Sequence, residues 1–158
     1  MTINLRLYHP NDFESVVQLW HQSWYHSWHR DFPGLRHSWT YEEWQERFQQ
    51  KVMSNESIWV AESSDQIVGF IALRESDGYL DQIFVTPEIQ HQGVGTILMN
   101  KAKELSPNGI YLETLQRNTN ARRFYERHGF LPGQTGINLN NGQANIEYRW
   151  APQAARIS

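Results

Sequence analysis

The chain has no cysteine among its 158 residues, which rules out disulfides, thiolate metal sites and a covalent acyl-cysteine intermediate. Any acyl transfer must be direct or use another nucleophile. It also lacks a basic excess: fourteen Lys and Arg stand against seventeen Asp and Glu, a formal charge of −3 with a pI near 6.1. That balance supplies no broad positive field for nucleic acid or for an anionic membrane. No apolar run approaches the roughly 20 residues of a membrane span, and residues 1–7 lack the apolar core of a signal peptide. A cytoplasmic protein is the expectation. Prolines number only six, and no Pro/Gly/Ser-rich linker divides the sequence, so residues 1–158 are expected to form one domain with a sizeable core.

What is present begins with alternating and helical patterns. Ile3 to Leu7 alternates as a strand does, and His9-Pro10-Asn11-Asp12 offers a turn and an N-cap to a helix carrying Phe13, Val16, Val17, Leu19 and Trp20. Trp24 to Gly34 reads as the end of that helix followed by an ordered loop. Thr40 with Glu43 forms a capping-box pattern, predicting a second helix from Tyr41 to Val52 with Trp44, Phe48 and Met53 on or near one face. Ile58–Ala61, Ile67–Leu73 and Tyr79–Val85 read as three strands joined by the short turns at Ser63–Gln66 and Ser76–Gly78, an antiparallel meander. A helix over Val94–Leu105, a strand over Ile110–Leu115 and a helix over Asn120–His128 follow, the last ended by Gly129. Phe130-Leu131 resumes extended structure, Asn140-Asn141-Gly142 supplies a hairpin turn, and Ile146–Trp150 is the final strand. The order βααβββαβαββ, about seven strands and four helices, predicts a layered α/β (α+β) fold with a mixed sheet.

The segment Gln90-His91-Gln92-Gly93-Val94-Gly95-Thr96 stands between a strand and a helix. At a helix start the first N–H groups lack intrahelical partners and the macrodipole is positive, so this turn is a candidate anion cradle. Missing side chains at Gly93 and Gly95 would let a phosphate approach the main chain. The dinucleotide fingerprint needs a third glycine where Leu98 stands, and a P-loop needs Gly-Lys-Ser/Thr, which is absent. What remains is Gln-x-x-Gly-x-Gly after a strand ending in Val-x-Pro, which resembles the acetyl-CoA signature of the GNAT family of N-acetyltransferases. Asn118 to Phe130, with Asn before Ala, then Phe-Tyr-Glu-Arg, then Gly-Phe, resembles that family's second signature and stands in the family's order.

The resemblance implies an acetyl-CoA-binding domain whose fourth and fifth strands splay in a V. Residues 76–158 would form the acetyl-CoA half and residues 1–75 the acceptor half. The main chain of Ile83, Phe84 and Val85 would hold the pantetheine arm and, near Phe84 or Val85 at a strand-four bulge, the oxyanion of the tetrahedral intermediate. Gln90, His91, Gln92, Gly93, Val94, Gly95 and Thr96 would hold the pyrophosphate, and Asn118 would touch the arm from the far wall. Tyr125 matches the family tyrosine that protonates the departing CoA thiolate. Family members are often dimers, so a homodimer is a further expectation.

Acetylating an alkyl amine, whose pKa in water is about 10, requires a proton to leave at neutral pH. Glu113 and Asp81 are candidate acceptors for it. Strand alternation places Asp81 on one face with Ile83 and Val85, and Glu113 on one face with Tyr111 and Leu115. His21, His26 and His29 have a suitable intrinsic pKa but no motif behind them, and no ligand pattern supports a metal. Seven tryptophans are present, and Trp20, Trp24 and Trp28 recur every four residues beside His21 and Tyr25. That stripe reads as core packing, or as an acceptor pocket in which Trp24, Tyr25 and Trp28 hold a cationic amine. The function expected is acetyl transfer from acetyl-CoA to a primary amine, more readily a small molecule than a protein. A non-catalytic acyl-CoA-binding module of the same fold is the alternative.

Overall fold

The computed structural model describes residues 2–31, 40–54, 56–139 and 142–152, with the side chains of residues 26–31 outside that set. Along the chain run β1 (Asn4–Leu7), α1 (Phe13–Asp31), α2 (Tyr41–Met53), β2 (Ser57–Ser63), β3 (Gln66–Arg74), β4 (Tyr79–Val85), α3 (Val94–Leu105), β5 (Ile110–Leu115), α4 (Thr119–Arg127), β6 (Leu131–Ile137) and β7 (Ala144–Trp150). The seven strands form one sheet in the order β1-β2-β3-β4-β5-β7-β6. Every neighbouring pair is antiparallel except β4 and β5. The predicted element order and the β2–β3–β4 meander are both present.

β3 sits centrally, and its continuous run of buried residues from Ile67 to Leu73 reflects cover on both faces. Ile71 and Leu73 face a cluster built with Leu98, Met99 and Ala102 of α3, Leu112 of β5 and Tyr148 of β7. Phe70 and Ala72 face the other cluster, with Val16, Val17 and Trp20 of α1 and Trp44 and Phe48 of α2. The β2–β3 turn is tight because Ser64 and Asp65 both adopt positive φ, 51° and 64°, the twist that suits a two-residue hairpin.

Local chemistry sets the helix limits. His9 and Asp12 form a capping box around a 3₁₀ turn at Pro10–Asp12 that leads into α1, and Thr40 and Glu43 form the expected box at α2. α1 continues to Asp31, further than the aromatic segment suggests, while residues 32–39 of the expected loop lie outside the described residues. α2 ends at Met53, whose side chain is 73% exposed, so Trp44 and Phe48 alone carry the buried stripe expected of the three. α4 begins at Thr119 because the Asn118 side chain accepts the Ala121 N–H at 3.2 Å. Gly129 follows α4 with φ of +87°, a left-handed conformation that costs glycine little. Part of the expected final hairpin turn, Asn140-Asn141, lies outside the described residues, but Gly142 has φ of +69° and bonds back to Asn138. Among the described residues no helix is long and apolar enough to cross a membrane.

Candidate active site

β4 and β5 are paired at one register position, Tyr79 opposite Tyr111, beside the bond from Tyr111 N–H to Gly78 C=O at 3.0 Å. Beyond it the two parallel strands part in a V. Tyr111 also donates its hydroxyl to Asp77, which binds Arg74, so the closed end is clasped. Which main-chain groups face the opening follows from the antiparallel ladder with β3. Thr86 N–H bonds Val68 C=O, so with Phe84 opposite Phe70 and Ile83 opposite Ile71, alternate residues Thr86 and Phe84 spend their groups on β3. The N–H and C=O of Ile83 and Val85 therefore point toward β5. Phe84, expected to offer its amide, instead turns its main chain to β3 and packs its ring 5.8 Å from Phe70. On the other wall the β5–β7 ladder leaves Glu113 and Leu115 main-chain groups toward β4, because Gln116 N–H bonds Ala144 C=O opposite.

At the open end of β4 the chain makes a 3₁₀ turn at Pro87–Ile89 and then the glycine turn. His91 and Gly93 have φ of +67° and +88°, and such residues alternating with negative φ direct successive N–H groups to a common point. Ile97 N–H makes the first α3 bond, to Gly93 C=O at 3.1 Å, so the N–H groups of Val94, Gly95 and Thr96 have no partner within the helix. Gln90 serves as a strut, its side-chain amide donating to Val85 C=O at 3.1 Å. The two glycines differ in purpose. A Cβ on Gly93 would meet nothing within 4 Å, whereas one on Gly95 would stand 3.1 Å from the Phe124 ring of α4. Gly93 supplies the left-handed turn and open approach, and Gly95 lets α4 pack against α3. Thr96 Oγ1 lies 3.4 Å from His128 Nε2, tying the turn to the end of α4. His128 is held below its ordinary pKa by burial first and then by Lys103 and Arg127.

α4 carries Tyr125 into the fold. The buried Tyr148 hydroxyl of β7 donates to Glu126 at 2.6 Å and accepts from Arg122 at 3.0 Å, docking the helix. Tyr125 packs against Phe124, Phe130 and Tyr148, and burial foremost, with the neighbouring Tyr79, raises its phenol well above its ordinary pKa. It is thus a protonated donor at any physiological pH.

Tyr79 stands at the closed end of the V, its ring 5.0 Å from that of Tyr111. Burial first, then the charges of Asp81 and Glu113, push its pKa up to about 12. Asp81, Glu113 and Tyr125 thus all interact electrostatically with one tyrosine that the sequence did not mark. Asp81 differs from its expected orientation. Ala72 faces Gln82 but Leu73 faces Leu80, so Asp81 is the extra residue of a β-bulge, which restarts the alternation. Leu80, Ile83 and Val85 share the α3 side, while Asp81 reaches the α2 side and pairs with Lys51 at 2.5 Å. The bulge expected near Phe84 lies here instead. Glu113 is exposed on β5, directly opposite Glu147 of β7. Glu56, just before β2, is pushed up to about 7 by burial and then by Asp81. Glu56 and Lys51 are neighbours of the site that no sequence pattern flagged, while Tyr79 and His128 lie in segments the sequence flagged without being singled out in them.

The aromatic stripe divides. Trp20 is 4% exposed and meets Trp44, Phe48 and Phe70 edge-on, so it belongs to the core. Trp24 packs on Trp44 at 5.3 Å, and Tyr25 is 50% exposed. His21 lies among Tyr25, Tyr41 and Trp44. The side chains of Trp28, His26 and His29 lie outside the described residues.

Residues 14–130 match the model of the Acetyltransferase (GNAT) family. The chain is 30% identical over 131 residues to the peptidyl-lysine N-acetyltransferase YjaB of Salmonella typhimurium, covering 82% of this chain and 84% of that protein. Its fold is that of apo YjaB from Escherichia coli, with a TM-score of 0.70 at 23% identity over 95% of this chain and 98% of that one. It is also that of the PaiA N-acetyltransferase of Thermoplasma acidophilum in complex with coenzyme A, with a TM-score of 0.75 at 20% identity over 95% and 100%. With a glycine turn at the open end of the V, a match to that family model over residues 14–130 and a relative 30% identical over most of its length, the chain belongs to the GNAT family and is an N-acetyltransferase.

Proposed function

We propose that the chain transfers the acetyl group of acetyl-CoA directly to a primary amine, with the pantetheine arm lying in the V as an added strand. The observation that carries this reading is the single-position pairing of β4 with β5, which leaves Ile83 and Val85 main-chain groups aimed into the gap. The 90–96 turn would take the pyrophosphate on its unpaired N–H groups, and Asn118, whose oxygen is spent on its helix, would offer its amide N–H to the arm.

The acceptor enters from the α1–α2 side, where Asp81 and Glu113 face. Its ammonium first loses a proton to a carboxylate, for which Asp81 at the bulge is preferred over the exposed Glu113. The free amine attacks the thioester carbonyl, and the oxyanion that forms is met by an amide of β4, Ile83 or Val85. As the C–S bond breaks, Tyr125 gives its proton to the CoA thiolate. The remaining ammonium proton of the adduct leaves to water, from which Tyr125 is reprotonated. Acetyl-CoA and amine thus become amide, free thiol and one released proton.

The acceptor proposed is a small amine reaching the cleft beside Trp24 and Tyr25. A protein lysine is the second reading, favoured by the likeness to a peptidyl-lysine N-acetyltransferase; both present the same alkyl ammonium. The test is acetyl-CoA with amines, polyamines, amino acids and lysine peptides, followed by free-thiol release and mass analysis of the product. Transfer to small amines is expected; acetyl-CoA binding with no transfer across the panel would reduce the chain to a binding module.

A further inference from the structure

Among the described residues two buried side-chain polar atoms lack a hydrogen-bond partner, Glu56 Oε1 and Trp20 Nε1. Both residues adjoin Lys51. Glu56 N–H bonds Lys51 C=O at 3.4 Å, and Lys51 Nζ lies 5.6 Å from the centre of the Trp20 ring. Lys51 Nζ in turn binds Asp81, with the two side chains only 13% and 24% exposed. Asp81 is the more exposed partner of that ion pair, and Glu56 has one oxygen closed off from water. Asp81 acts on the Glu56 carboxyl and raises it, and two carboxyl groups side by side can hydrogen-bond only when one of them carries a proton. Two carboxylates against one ammonium leave a single negative charge in a desolvated place, which one proton cancels.

We propose that Glu56 is a positioning residue of the acetyl-transfer site, joined with Asp81 and Lys51 into one unit that takes the proton of the acceptor ammonium and holds it between the two carboxyls. The inference rests on the proposed amine acetylation and adds to it a group that never touches substrate. The N–H bond of the ammonium breaks, the proton enters through Asp81, and the unit passes from one negative charge to none. The proton returns to water before the next turnover. The groups around Glu56 are Lys51 from α2, Arg74 at the end of β3, and Asp81 from β4 with Tyr79 beyond it. Burial and Asp81 hold Glu56 near 7 against the opposing charges of Lys51 and Arg74, so both protonation states of the unit are populated at neutral pH.

The experiment follows kcat against pH with both substrates saturating, for the wild type and for Glu56→Gln, Glu56→Asp and Asp81→Asn. The wild type should show an ascending limb near pH 7, the value about which Glu56 titrates. Glu56→Gln should lose that limb and fall about 10-fold in kcat at neutral pH while binding acetyl-CoA as before. Glu56→Asp should restore part of the limb, and Asp81→Asn should abolish it with a larger loss of kcat. A protonated-carboxyl band in difference infrared spectra should titrate over the same range in the wild type and vanish in Glu56→Gln. A folded Glu56→Gln with an unchanged limb and an unchanged band overturns the proposal. Failure of the transfer reading looks different: the wild type would acetylate no amine, whereas the infrared band, read without turnover, would still report the shared proton.

Discussion

Tyr125 is a phenol whose burial holds its proton, packed by α4 among Phe124, Phe130 and Tyr148. Removing only its hydroxyl, Tyr125→Phe, should lower kcat about 100-fold while the acetyl-CoA dissociation constant, measured by calorimetry, changes less than about 3-fold. An unchanged kcat would remove it from the mechanism. A different lesson comes from Arg6, whose guanidinium donates to Asp12 at 2.8 and 2.9 Å and to Glu62 at 3.1 Å. The Arg6 hydrogen bond foremost holds the Asp12 carboxyl below its ordinary range. A depressed carboxyl contributes stability above its unfolded value, which is lost as pH falls through the folded one. Arg6→Ala should therefore cost about 1–2 kcal/mol at neutral pH by leaving the buried Asp12 unpaired. Urea titrations should show that cost shrinking as pH drops below about 4. Glu56 has the opposite sign, since its raised value makes its ionisation a growing burden on the fold as pH rises through about 7.

At the scale of the element, the turn into α3 joins two requirements that the spacing Gly-x-Gly does not separate. Gly93 is held at φ +88° with open space at its Cβ position, so a valine there pays the left-handed penalty of about 1–2 kcal/mol and intrudes on the cradle. Gly93→Val should weaken acetyl-CoA at least about 10-fold in a protein that still folds. Gly95→Ala should act first on stability, by about 1 kcal/mol, because its methyl would press on Phe124. Equal affinity in a folded Gly93→Val would sink the cradle assignment. α1 presents a similar division, since Trp20 is core while Trp24 rests on Trp44 at its margin. If Trp24 lines the acceptor's path, Trp24→Ala should raise the acceptor KM several-fold; a change confined to melting temperature would make it packing alone.

Over the whole molecule, the sheet is continuous except where β4 and β5 part. Hydrogen exchange offers a direct check, because the amides of Ile83, Val85, Glu113 and Leu115 have no sheet partner across the gap while those of Phe84 and Leu112 lie in ladders. The first group should exchange quickly in the free protein, and those of Ile83 and Val85 should slow when acetyl-CoA binds; no slowing would argue against a pantetheine strand. The glycine turn and the Tyr125 helix were legible in the sequence because they are built from contiguous residues: Gln90 to Thr96 at a strand-to-helix junction, and Asn118 capping the helix that bears Tyr125. Capping boxes, turn glycines and apolar periods act over three or four residues, and these determined the element order and the α2 start. The cluster of Lys51, Glu56 and Asp81 was not legible, because these residues come from the end of α2, the lead into β2 and the middle of β4, with no mutual spacing to recognise. Simple alternation even placed Asp81 on the face with Ile83. One extra residue in β4, visible only in its register against β3, restarted the count and turned that carboxylate toward Lys51. The sequence by itself determined the elements and the glycine turn, which rest on local interactions; the tertiary structure alone decided where β4 and β5 part and which charges meet beside Asp81, because register and packing are set by residues far apart in the chain.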